Sequence, residues 1–215
     1  MGLHGIELLT GDTFVTDTTI RDNGGHGIRT EGSLELTVDS TRIERNGDSG
    51  MRVLNGAAVS VTRSVIAGNF GFGGFDIDSD DGSSQTVVTI SESSVSQNAT
   101  QGVLAGASGA GSSVRLALSR NTISRNGATG VQVGAGTGLL TGVITDNTIV
   151  RNFGSGGISA GGAGVSVTIA NNAVSGNGTF GVRQLTSALL KTRSNNIIQD
   201  NSTDTSGTLT FVGGD

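Results

Sequence analysis

Apolar residues recur along this chain in short alternating runs. Leu36-Thr37-Val38, Val59-Ser60-Val61 and Val88-Thr89-Ile90 place an apolar side chain at every second position, the signature of strands with one buried face. A helical period of 3.6 residues persists nowhere. The runs obey a larger grammar, in which a second apolar residue follows the first by five positions and an asparagine follows by three more. It reads Val15, Ile20, Asn23; Val38, Ile43, Asn46; Val61, Ile66, Asn69; Ile90, Val95, Asn98; Leu118, Ile123, Asn126; Ile144, Ile149, Asn152; and Ile169, Val174, Asn177. The steps between asparagines are 23, 23, 29, 28, 26 and 25 residues, then 24 to Asn201. Behind each asparagine comes glycine plus an apolar residue, as in Gly27-Ile28, Gly50-Met51, Gly102-Val103 and Gly181-Val182, with Gly5-Ile6 ahead of the first. A third column runs Thr18, Thr41, Ser64, Ser93, Asn121, Asn147, Asn172, Asn196.

Fixed internal spacing repeated this often defines a repeat architecture. A unit of 23 to 29 residues has room for three short strands and three turns, but not for a strand, a crossover helix and a second strand. The predicted fold is therefore all-β: a single-stranded right-handed parallel β-helix of about eight coils. Each strand pairs with its equivalent one coil away at ~4.8 Å, giving a rod on the order of 40 Å long. The asparagine column (Asn23, Asn46, Asn69, Asn98, Asn126, Asn152, Asn177, Asn201) is predicted to be a structural ladder. A sharp turn inside a stack strands backbone polar groups, and a carboxamide carries both donors and an acceptor to satisfy them. Asparagine also tolerates left-handed backbone angles.

Composition narrows the picture. The chain has 37 glycines and no proline, tryptophan or tyrosine among 215 residues, which suits a thin core of small β-branched residues. A net charge of −5 with Lys191 as the lone lysine argues against nucleic acid, which needs clustered cations, and against a basic membrane-surface patch. No run is apolar enough to insert in a membrane. Without cysteine there are no disulfides or thiolate metal sites. The whole of 1–215 reads as one domain, a segment of a larger protein, with 202–215 as a C-terminal extension or partial last coil. In the coil before it, Lys191 and Arg193 fall where other coils carry apolar residues. Either a one-residue bulge restores Leu190 to the interior or, the favoured reading, this coil is a polar lid.

Asn121-Thr122-Ile123-Ser124-Arg125-Asn126-Gly127 followed by Gly130-Val131 resembles the pectate-lyase-like family of right-handed parallel β-helix repeats, and the likeness extends from about residue 4 to 201. The resemblance implies a secreted or cell-surface setting that faces carbohydrate, but it leaves function open. The catalytic patterns of such families do not carry over: Gly25-His26-Gly27 precedes Asp80-Asp81, the reverse of the polygalacturonase-like order, and lyases that use a Lys–Arg pair would have only Lys191.

Two places could still carry chemistry. Beside the glycine column the outward strand positions read Glu7, Arg29, Arg52, Asp76, Leu104, Gln132, Ser159, Arg183. With His4 and His26 stacked near Arg29, the residues His4, His26, Arg29, Arg52 and Asp76 form a strip that could bind an anionic sugar; the bland alternative is a solvated face of mixed charge. The second place is the loop of Asp76, Asp78, Asp80 and Asp81. Clustered carboxylates repel unless solvated, protonated or shared, so the choice there lies between Ca²⁺ and a solvated acidic loop, with no other cofactor implied. The lack of Trp and Tyr weighs against tight sugar stacking. Phe75 belongs to an interior column, and Phe70 and Phe72 form either a small exposed patch or, the favoured reading, a cover over the widened coil beside it. The resulting expectation is a structural or interaction module of a larger secreted or surface protein, partnered by polysaccharide or another surface protein, with self-association through its coil ends. The alternative is a carbohydrate-active enzyme, a lyase, hydrolase or epimerase acting on an acidic polysaccharide.

Overall fold

Alternating side chains need a partner surface on one face only, and this chain supplies it by coiling. The computed structural model describes residues 3–82 and 84–213, and within them every strand pairs in parallel with its equivalent in each adjoining coil. One full coil runs through Gln101–Ala107, Ser113–Ser119 and Thr122–Ser124. Stacking the coils gives three sheets of nine, nine and eight strands among the described residues. The first sheet runs from Ile6–Leu8 to Thr203–Ser206, the second from Gly11–Thr16 to Leu209–Phe211, and the third from Thr19–Arg21 to Ile197–Gln199. No helix interrupts them among the described residues.

Register makes like sit on like. Ile90 pairs with Leu118, Leu118 with Ile144 and Ile144 with Ile169 in the second sheet. Val103, Val131 and Ile158 do the same in the first, and Val95, Ile123 and Ile149 in the third. These residues fill one continuous core. A one-residue slip would turn each strand's apolar set outward, so burial fixes the register.

The corners are built by side-chain oxygens. Asn126 donates from its backbone N–H (3.1 Å) and from Nδ2 (2.9 Å) to Oδ1 of Asn152, and Nδ2 also reaches the carbonyl of Val95. The same bonds recur from Asn23 to Asn201. The third column forms a parallel ladder at the other corner: Thr41 N–H bonds Ser64 Oγ, Ser64 N–H bonds Ser93 Oγ, and Asn121, Asn147 and Asn172 continue it to Asn196. The asparagines are not themselves left-handed. That conformation falls on the residue before each, at φ of 51 to 63° for Arg45, Gly68, Gln97, Arg125, Arg151, Gly176, Asp200 and Asp22. The asparagine accommodates this bend by bonding across to the next coil, so the residue before it can be arginine, glutamine or aspartate.

Glycine beside the ladder is a matter of close approach. A Cβ on Gly102 would lie 2.6 Å from the Gly130 carbonyl and 2.8 Å from Asn126 Nδ2, distances no side chain survives.

Two expectations need correction. Phe75 is fully buried, but Phe70 and Phe72 are 56% and 51% exposed. The 70–72 turn bows outward through Gly71 and Gly73, both at positive φ, and Phe72 lies against the Arg52 guanidinium instead of the core. The coil carrying Lys191 and Arg193 is not a polar lid. Leu190 is buried opposite Val167, Thr192 takes the inward position opposite Ile169, and Lys191 faces out beside Thr168. One extra residue between Thr192 and Asn196 absorbs the mismatch, the bulge that an alternation shifted by one requires. Beyond it Thr203–Ser206 and Leu209–Phe211 add two more strands to the first and second sheets; residues 214 and 215 lie outside the described part.

Asn126→Ala in mid-stack should cost about 1–3 kcal/mol, because it leaves buried backbone groups unbonded, and Asn201→Ala in the outer coil distinctly less. Denaturant midpoints of the two variants check this; equal midpoints would mean that burial along the ladder is irrelevant.

Candidate functional site

The outer face of the first sheet brings the sequence-predicted strip together, since Glu7, Arg29, Arg52, Asp76 and Leu104 are lateral neighbours in successive coils. Its charges are spent internally. Arg29 is held by both Glu7 and Glu31, and Arg52 Nη1 lies 2.6 Å from Asp76 Oδ2. Asp76 is only 6% exposed. Burial pushes its carboxyl above the usual range, the neighbouring carboxylates of Asp78 and Asp48 add to this, and Arg52 opposes it.

The two histidines belong to the fold. Their rings stack at 4.9 Å and 15°. His4 Nδ1 accepts the His26 N–H at 3.0 Å, and His26 Nδ1 accepts the Ser49 N–H at 3.2 Å, so imidazole nitrogens here do what ladder oxygens do at the other corners. His26 is buried, with Nε2 3.6 Å from Asp48. Burial pushes its pKa down to about 4; the Asp48 carboxylate opposes this, while His4, Arg52 and Arg29 add to it.

The four loop aspartates do not converge. Asp76 pairs with Arg52, Asp78 accepts from the Ser79 N–H and from Ser108 Oγ, Asp80 is bonded by Asn55 Nδ2, and Asp81 by Ser84. Among the described residues no three His, Cys, Asp or Glu side chains gather as a metal would require.

One feature escaped the sequence reading. Asp78, Gly106, Gly134, Gly161 and Leu185 are neighbours across five coils. Three glycines thus floor an open groove of about 680 Å³, with Arg52, Phe72, Asp76 and Asp78 at one end and Leu185 at the other. The turns alongside are short, spanning 108–112, 136–138 and 162–164. The signal was present as a glycine four residues after Gly102, Gly130 and Gly157. The groove presents an apolar floor and a few acceptors, an arrangement suited to laying down an extended chain.

The chain belongs to the right-handed β-helix family: a family model described as a right handed beta helix region matches residues 1–117 and again 80–213. No curated protein and no solved structure matches it.

The buried histidine makes stability depend on pH. Its folded pKa of about 4 lies below the ordinary 6.5, so its contribution is whole above pH 6.5 and is lost as pH falls from 6.5 towards 4. The loss should be on the order of 2–3 kcal/mol. Denaturation midpoints across that window should fall more steeply for the parent protein than for His26→Gln; parallel profiles would mean that His26 protonates without penalty.

Proposed function

We propose that this β-helix is a structural or interaction module of a larger secreted or cell-surface protein, and that it contacts polysaccharide along the outer face of its first sheet. The glycine-floored groove carries the reading. Its floor is flat enough for sugar rings, Asp78 offers carboxylate oxygens to hydroxyls, and Phe72 supplies an aromatic ring at the groove's end in a chain without Trp or Tyr. Internal pairing of Arg29 and Arg52 removes free cations from the strip, which supports a neutral polymer over an acidic one. Surface exposure of the whole rod agrees with a module that displays a face and does not enclose a substrate.

A second reading, a carbohydrate-active enzyme on an acidic polysaccharide, is favoured by one observation. Asp76 is a carboxyl inside the groove whose pKa is raised by burial, the direction a general acid needs. Unsaturated products or new reducing ends, abolished in Asp76→Asn, would establish it.

Gly134→Leu separates binding from folding. A Cβ there meets nothing closer than the Gly161 carbonyl at 3.8 Å, so the variant should fold with stability within about 0.5 kcal/mol of the parent while its side chain fills the groove. Affinity for a soluble neutral glucan should drop at least tenfold, equivalent to ~1.4 kcal/mol. Unchanged affinity, or stronger binding of polygalacturonate by the parent protein, would contradict the proposal.

A further inference from the structure

At its corners this fold matches an arginine to an acid one coil earlier in the same column. Arg45 lies 2.9 Å from Asp22, and Arg120 lies 2.8 Å from Glu92 at the other corner. Arg125 departs from the rule. One coil earlier stands Gln97, an amide where the pairing needs a carboxylate, and one coil later stands a second arginine, Arg151. The N–H of Gln97 donates to the Ser124 carbonyl at 3.1 Å and that of Arg125 to the Val150 carbonyl at 3.3 Å, so the three residues are lateral neighbours at ~4.8 Å spacing. All three have φ of 56° and are exposed, so their side chains leave the rod in the same direction.

Among the described residues neither guanidinium has a hydrogen bond, ion pair or ring contact. The next carboxylate along the column, Asp200, lies two coils beyond Arg151 past Gly176, and no ion pair joins them. Like charges side by side are destabilising, and no contact within the fold offsets this. The surroundings can donate as well. Ser96 and Ser124, outward on the third sheet beside Gln97 and Arg125, keep hydroxyls without partners among the described residues. Across the ladder Phe153 is 59% exposed, and its column neighbours Gly127 and Gly178 carry no side chain to cover the ring. Residues 93–199 set seven cations against one carboxylate, Asp146, in a chain of net charge −5.

We propose that Gln97, Arg125 and Arg151 form an anion site, separate from the groove on the first sheet and independent of what the groove binds, and that its ligand is a sulfate or phosphate ester carried on a glycan. Two guanidinium forks present more N–H groups than the two oxygens of a carboxylate can face at once, whereas a tetrahedral ester group has three free oxygens. Ser96 and Ser124 suit sugar hydroxyls, and Phe153 suits the apolar face of a sugar ring. Two free cations are too few for the repeated phosphate contacts of nucleic acid, which the acid surplus of the first 92 residues would also repel.

Calorimetry at fixed ionic strength, with dextran sulfate, dextran phosphate, unmodified dextran and polygalacturonate as probes, tests the site. At least one of the esters should bind the parent protein at least about tenfold tighter than dextran or polygalacturonate, and the tighter of the two names the group the site takes. Gln97→Glu should supply the missing acid, pair with Arg125 and remove most of that preference. It should do so without lowering the melting temperature, since Glu92 holds the same conformation at φ 52°. Arg151→Gln should weaken ester binding as much. Arg115→Gln should not, although it removes another exposed, unpaired arginine, from the second sheet. An equal loss in Arg115→Gln would show diffuse attraction by the cationic half and overturn the proposal. So would polygalacturonate bound as tightly as the esters, single-stranded DNA bound more tightly than either, or a folded Gln97→Glu with the affinity of the parent.

Discussion

A side-chain oxygen that accepts the backbone N–H of the preceding coil is the interaction on which the rest of this molecule depends. Parallel strands satisfy one another wherever the chain is extended, but a coil must also turn. At each of the two ladder corners a residue enters the left-handed region, as at Arg125 and Arg120, and the N–H that follows has no strand partner. Asn126, Asn152 and their equivalents supply the acceptor from one coil away. Thr41, Ser64 and Asn121 do so at the second corner, and His4 and His26 at the start of the first sheet. A buried amide left unbonded costs about 1–3 kcal/mol, and a stack repeats that demand at every coil. The repeat in the sequence is the consequence.

The same requirement decides where function can reside. Interior columns are fixed by stacking and ladder columns by hydrogen bonding, which leaves the outward strand positions and the turns free to vary. On the first sheet these positions go from a charged, self-paired region at Arg29 and Arg52 to a bare floor at Gly106, Gly134 and Gly161. Variation in outward residues on a constant coil is thus enough to give one face a polar end and a flat apolar trough.

Much of the fold was legible because stacking forces periodicity: the three columns, the interior place of Phe75 and the ladder itself follow from spacing alone. What could not be read depends on geometry between coils. Arg29 and Arg52 fell on a strip open to an anionic sugar, but whether they pair with Glu7, Glu31 and Asp76 is decided by side-chain reach within and between coils. The aspartates at 76, 78, 80 and 81 looked like one cluster, but only Asp76 and Asp78 share a side of the strand, and separate partners at Arg52, Asn55, Ser84 and Ser108 hold the four apart as a set. The bulge before Asn196 was hidden because one inserted residue in a bend leaves the columns on either side intact. The groove's glycines were lost among 37, most of which serve turns or the ladder.

A double-mutant cycle tests the ladder most directly. Asn126→Ala and Asn152→Ala remove adjacent rungs, and both donors of Asn126 depend on Asn152 Oδ1; Asn46 and Asn152 share no bond. Unfolding free energies should be non-additive for the adjacent pair by about 0.5–3 kcal/mol, the double variant losing less than the sum, and additive within about 0.5 kcal/mol for the distant pair. Additivity in both cycles would mean that each carboxamide acts alone and that no continuous ladder holds the coils together.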